Sequence, residues 1–174
     1  MRKLYLALAL FTSINCFGQS ERRLSTFLSF QANKTLSDRT ITNNSGGVGL
    51  GLQTSFNTGT WIKPSLEINT DLFAGTKKLY VTENGKTIKS KNGMLSLYAG
   101  PMFQPTERLF LTATVGASIY NSETHLGIRP SIGYHLSKNK RWMTKASYTN
   151  VFQRDEISNE RFSYLSFALA LKLF

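Results

Sequence analysis

The chain has 174 residues, enough for one domain of ordinary size. Its 21 lysines and arginines stand against 10 acidic residues, a formal charge of +11, which suits anionic lipid or polysaccharide as a partner, or well-solvated loops. A single cysteine excludes a disulfide framework, and with only two histidines no metal or other cofactor is expected.

The first eighteen residues read as an export signal. Arg2 and Lys3 form a basic start, a short apolar run follows to Phe11, and Cys16-Phe17-Gly18 offers a cleavage site before Gln19. The run is too short to span a bilayer as a helix. The expected organisation is a signal peptide over 1–18 and one domain over 19–174. Cys16 falls inside the signal, and the residues before it lack the pattern of a lipidation site.

After the signal no segment keeps a helical period. Hydrophobicity alternates with period two in eight blocks, near 24–33, 46–56, 61–75, 93–104, 109–120, 125–136, 141–152 and 162–174. The second block sets Val48, Leu50, Leu52, Thr54 and Phe56 against Gly47, Gly49, Gly51, Gln53 and Ser55. The fifth sets Leu109, Leu111, Ala113, Val115, Ala117 and Ile119 against Phe110, Thr112, Thr114, Gly116, Ser118 and Tyr120. Block lengths match the roughly 9–11 residues that a tilted strand needs to cross a bilayer.

Connections alternate as well. Those at 57–60, 105–108 and 137–140 are tight, and those at 34–45, 76–92 and 153–161 are longer; 121–124 is short for its side. Tight turns at one end and long loops at the other is the bacterial barrel pattern, with turns in the periplasm. Within 76–92, two short alternating runs flank Asn84-Gly85, the dipeptide of a type I′ turn, predicting a hairpin with Glu83 facing Lys86. That hairpin would protrude as a ribbon carrying Lys77, Lys78, Lys86, Lys89 and Lys91.

Charge placement separates a membrane barrel from a soluble one. The first, second, fourth and fifth blocks contain no charged residue, whereas a water-facing surface carries roughly a quarter or more. Their polar faces carry glycine, serine, threonine and amides, which suit a narrow lumen. Phe56, Trp61, Phe103, Trp142 and Phe174 at the turn end, and Phe73, Tyr120, Phe152 and Phe162 at the loop end, are placed like interfacial girdles. Pro64, Pro101 and Pro130 fall inside blocks, so each is expected at a bulge or a strand start. In the last block Leu165, Phe167, Leu169, Leu171 and Leu173 make the better lipid face, which turns Phe174 inward.

The strand count, the loop asymmetry, Tyr98-Ala99-Gly100-Pro101-Met102-Phe103, Arg129-Pro130-Ser131-Ile132-Gly133-Tyr134 and the terminal Phe174 carry a resemblance. The chain resembles small eight-stranded outer-membrane barrels of the OmpA membrane-domain and OmpX type, in the outer membrane protein beta-barrel domain group. The resemblance implies an all-β, eight-stranded antiparallel up-and-down transmembrane barrel in the outer membrane of a Gram-negative cell. It implies outer-membrane lipid and lipopolysaccharide as surroundings, the barrel-assembly machinery as a partner, and a monomer. No contact with nucleic acid is expected.

The candidate site is a lumen charge network of Glu67, Asp71, Arg129 and Lys145. All four lie on polar faces, so Glu67 is expected to pair with Arg129 or Lys145 across the lumen, since charges facing lipid would be costly. Such a network would plug the barrel, or gate it if its partners exchange. Eight strands leave an interior that side chains fill, and inward Phe27, Tyr98, Phe110 and Tyr120 narrow it further. A lipid-modifying enzyme would need a nucleophile, base and orienter at one rim. His125 stands near Glu123 without a same-face serine in its own strand, and His135 and Ser137 lie at the turn end. The expected function is therefore a structural or surface-contact barrel without catalytic activity. The alternatives are a secreted soluble barrel binding a small apolar ligand and a lipid A-modifying membrane enzyme.

Overall fold

Alternating sequence becomes strand wherever the backbone can pair on both sides. The computed structural model describes residues 24–36, 46–73, 80–81, 87–88, 93–120, 123–152 and 161–173. Its strands are β1 (Leu24–Thr35), β2 (Gly47–Phe56), β3 (Ile62–Phe73), β4 (Tyr80–Val81), β5 (Thr87–Ile88), β6 (Gly93–Phe103), β7 (Leu109–Tyr120), β8 (Glu123–His135), β9 (Trp142–Phe152) and β10 (Arg161–Lys172).

Eight of these close into one antiparallel up-and-down barrel, in the order β1-β10-β9-β8-β7-β6-β3-β2. The seam runs from Phe27 opposite Lys172 to Thr35 opposite Tyr164, so no barrel strand keeps an open edge. The tiny β4–β5 pair stands apart as its own two-stranded sheet.

The faces are those of a protein turned inside out. Along β2 and β7 the aliphatic set points outward and the small polar set inward. Phe30, Leu50, Leu126 and Phe167 are each 58% exposed or more, while Arg129 and Glu67 are at 0% and 1%. The outer face is thus a continuous apolar band, and a barrel in water would have to invert it. On β10, Phe162, Tyr164, Ser166, Ala168 and Ala170 are buried, and Leu165, Phe167, Leu169 and Leu173 face out. Phe174 lies outside the described residues.

Several expectations need correction. Phe73 and Phe162 are buried in the lumen rather than set in a girdle. Each shares the parity of its strand's polar face, Phe73 with Glu67 and Asp71, Phe162 with Tyr164 and Ser166. Trp61, Phe56 and Trp142 are exposed at the turn end, with Trp61 set edge-on against Phe103 at 4.7 Å. β1 also extends to Thr35, so it carries Lys34, outward at the loop-end rim.

The prolines need no bulge. β6–β7 keeps one register on both sides of Pro101, from Ala99 opposite Val115 to Met102 opposite Thr112, and skips only the two pairs between. β8–β9 does the same around Pro130, from Ile128 opposite Asn150 to Ser131 opposite Ser147. Pro64 lies just past the last β2–β3 pair, Ser55 with Ser65. Each proline therefore turns its missing N–H toward a skipped or finished stretch of ladder, which satisfies the constraint without inserting a residue. In the β4–β5 pair Val81 lies opposite Thr87. A two-residue Asn84-Gly85 turn would set Val81 opposite Ile88, so the register is one residue away from that expectation. Glu83, Lys86 and the other ribbon lysines lie outside the described residues.

If the outer face meets lipid, Leu50→Arg should destabilise the barrel by about 2–4 kcal/mol, the cost of arginine at a bilayer midplane. Urea unfolding of protein assembled in vesicles measures it. A loss below about 0.5 kcal/mol, ordinary for a water-facing surface site, would contradict that placement.

Candidate functional site: a charge network between two apolar layers

The lumen is stratified. Near the turn end Phe27, Met102, Phe110, Met143 and Ala170 form an apolar floor. The His135 ring lies against it, 5.3 Å from Phe110 and 5.7 Å from Phe27. Near the loop end Phe73, Met94, Val151, Phe162 and Tyr164 form an apolar ceiling, with Phe73 edge-on to both Phe162 and Tyr164. Both layers follow from strand parity, which turns these large apolar residues of β1, β3, β6, β7, β9 and β10 inward near the strand ends.

Between them sits the polar network. Glu67 Oε2 lies 3.0 Å from Lys145 Nζ and 3.5 Å from Arg129 Nε. One carboxylate on β3 is therefore held between cations from β8 and β9, on the far wall. Lys145 also donates to Gln53 Oε1 at 2.9 Å. Arg129 donates to Gln31 Oε1 at 2.6 Å and to the Tyr164 hydroxyl at 3.4 Å. Tyr164 donates in turn to Asp71 Oδ2 at 2.9 Å, and Asn33 donates to Asp71 Oδ1 at 2.7 Å. Gln31 spends its amide on Asn69 Oδ1 at 2.7 Å. Glu67, Asp71, Arg129 and Lys145 thus all join one layer, two charges of each sign. Neutral amides and a tyrosine bridge part of what the ion pairs leave open, and Gln53 Nε2 and Asn69 Nδ2 have no hydrogen-bond partner among the described residues.

Glycines make the room. A Cβ on Gly51 would fall 2.6 Å from both Asn69 Oδ1 and Ser29 Oγ, and one on Gly49 would strike the Asp71 carboxylate. Gly127 gives space to the Tyr98 hydroxyl and Gly133 to the Phe110 ring. The glycine-rich inward face of β2 is the pocket into which the long polar side chains of β1 and β3 lean.

Gln31, Asn33, Gln53, Asn69 and Tyr164 did not stand out in the sequence. Their parity already turned them inward, but which of them meet depends on how the strands are staggered around the closed wall. The β7–β8 hairpin sets Ser118 opposite His125, a cross-strand pair. Glu123 Oε2 lies 3.4 Å from His125 Nε2. Ser118 Oγ, however, is fully buried and bonded to Tyr98 Oη at 2.5 Å and to Ser96 Oγ at 3.1 Å. Glu123, His125 and Ser118 are neighbours whose serine is committed to the lumen. Among the described residues no group of histidine, cysteine and carboxylates could hold a metal ion.

Solved structures of like shape exist. The fold is that of small transmembrane barrels. A crystal structure of Ail, the attachment invasion locus protein of Yersinia pestis, superposes with a TM-score of 0.57 at 12% identity, over 86% of this chain and 97% of that one. Ail in a phospholipid bilayer nanodisc gives 0.56 at 13%, over 86% and 99%. A designed transmembrane β-barrel gives 0.53 at 10%, over 86% and 95%. No protein-family model and no curated protein matches the sequence.

Removing one member of the layer leaves its partners charged and dry. Glu67→Ala should cost about 3–5 kcal/mol, as breaking a buried pair does. Glu67→Ala combined with Lys145→Met should cost less than the sum of the single changes. Urea unfolding of the four proteins in one lipid checks both, and strict additivity would show that the 3.0 Å contact carries no coupling.

Proposed function

We propose that the protein is an integral outer-membrane β-barrel, delivered by its amino-terminal signal, whose lumen is a plug and whose role is structural or surface contact. The observation that carries this reading is the pairing of a continuous apolar exterior with a charge-neutral polar interior closed by apolar layers at both ends. A lipid-facing wall needs the first, and the second leaves no water-filled path. The balanced charges of Glu67, Asp71, Arg129 and Lys145 favour a static plug over a gate, because each already has a short-range partner. Catalysis is not part of the proposal, since Ser118 is turned away from any opening.

In this reading the tight turns face the periplasm and the longer loops face outward. The 74–92 connection, whose sequence carries Lys77, Lys78, Lys86, Lys89 and Lys91, would then belong to the outward side. A lysine-rich projection suits anionic surface polysaccharide or lipopolysaccharide. Ail, the structural neighbour, is named for attachment and invasion, and one of its structures is a complex with the heparin analogue sucrose octasulfate. That likeness supports a contact role on the outer side and is the reason to test it first. Assembly by the barrel-assembly machinery and a monomeric state belong to the same proposal.

Envelope fractionation tests the core of it. The protein should sediment with outer membranes, require detergent for extraction, and migrate differently on gels with and without boiling. Recovery as a detergent-free soluble protein would overturn the reading in favour of a secreted barrel.

A further inference from the structure

Outside the apolar floor, the turn end holds a second polar site that the plug does not use. An open cavity of about 440 Å³ lies there, lined in part by Trp61, Lys63, Gln104, Thr106, Glu107 and Lys140. Lys63 comes from the start of β3 with the inward parity of Glu67. Lys140 comes from the β8–β9 turn, where its backbone is held at a φ of 53° and its N–H donates to Ser137 O at 3.0 Å. The two ammonium groups line the same cavity. Like charges gathered on a low-dielectric wall repel unless an anion joins them.

The hydrogen-bonding groups of the lining are poised for such an anion. Lys63 spends one hydrogen on Gln104 Oε1 at 2.8 Å and keeps two. Gln104 is held in place by its own amide, which donates to Glu107 O at 3.1 Å. Thr106 Oγ accepts from the N–H of Leu109 at 2.9 Å and of Arg108 at 3.4 Å, so its own proton remains to be donated. Among the described residues neither Lys63 nor Lys140 forms an ion pair with a carboxylate. Glu107 is the one carboxylate on the lining, and it is exposed beside Arg108.

We propose that this turn-end cavity binds a phosphate-bearing anion, with Lys63 and Lys140 neutralising it and the Thr106 hydroxyl donating to one of its oxygens. Several ammonium groups and a hydroxyl call for a ligand with more than one charge and more acceptor oxygens than a carboxylate has. A phospholipid headgroup and a free phosphate compound share that chemistry. The headgroup source rests on the membrane reading above; the free-anion source does not.

Trp61 lines the cavity and serves as the reporter. In a Trp142→Phe background its fluorescence is followed in uncharged maltoside detergent, while inorganic phosphate or phosphatidylglycerol is titrated against phosphatidylcholine as control. A saturable response to phosphate identifies a free anion, and a response to phosphatidylglycerol alone identifies the headgroup; either supports the site. Lys63→Gln with Lys140→Gln should weaken binding about tenfold or more, and Glu107→Gln should strengthen it, whereas Lys34→Gln, exposed at the opposite, loop end, should change it less than about twofold. Altered gel mobility on boiling verifies that each variant is folded. No saturable response to either probe, or equal losses for Lys34→Gln and the double variant, overturns the proposal. A protein that proves soluble without detergent would fail the membrane reading while leaving the phosphate titration interpretable.

Discussion

Closure of the wall is the constraint from which the other features follow. In hydrocarbon an unpaired backbone N–H or C=O costs several kcal/mol, and no water is there to relieve it. The seam between β1 and β10 removes the last open edge, with Leu173 N still bonded to Thr26 O at 2.8 Å beyond the paired run. Once the wall is closed, strand alternation sends every second side chain to lipid and the rest into a lumen eight strands wide. The aliphatic outer band and the crowded polar interior are two consequences of that one geometry. Even the prolines obey it, lying only where the ladder skips or ends.

The interior solves a problem that closure creates. Inward positions cannot all be large, and charged groups among them have no solvent. Glycines on β2 and β8 take the small share; Gln31, Asn69 and Asp71 reach over those of β2, and Tyr98 and Phe110 over those of β8. Glu67 would be intolerable alone at 1% exposure, and it is met by Lys145 and Arg129 together. The apolar floor and ceiling lie above and below these contacts, and contacts shielded from water in this way are stronger and costlier to break on one side. Such a layer is weak evidence for net stability, because replacing a buried ion pair with apolar residues of equal volume is often neutral or stabilising. What it supplies is specificity: only one stagger of the strands brings all these partners together.

Much of the wall was legible from period two alone. The eight blocks coincide with the eight barrel strands to within a few residues, and the faces of β2, β7 and β8 are as the alternation sets them. Local pattern was misleading where a residue's depth was weighed over its parity: Phe73 and Phe162 sit at girdle height but on the lumen face. The bulges expected at Pro101 and Pro130 failed for another reason. A missing N–H matters only on the side it points to, and that side is fixed by the neighbouring strand. The network itself was half legible. Glu67, Arg129 and Lys145 could be paired by depth, but the bond from Arg129 to Gln31 spans 98 residues and exists only because the barrel closes at one particular stagger. No local signal encodes that.

The central claim is that the outward face of this barrel is solvated by lipid while the inward face is dry and packed. Residues 24–173 contain no native cysteine, so single cysteines placed one at a time at 48, 50, 52, 53, 54 and 55 can carry nitroxide labels in barrels assembled in vesicles. Collision with oxygen, which concentrates in hydrocarbon, and with a water-soluble nickel chelate then reads the solvent at each position. The account predicts high oxygen and negligible chelate access at 48, 50, 52 and 54, and low access to both at 53 and 55. Chelate access at 48, 50 and 52 equal to that of a loop position such as 58 would contradict it.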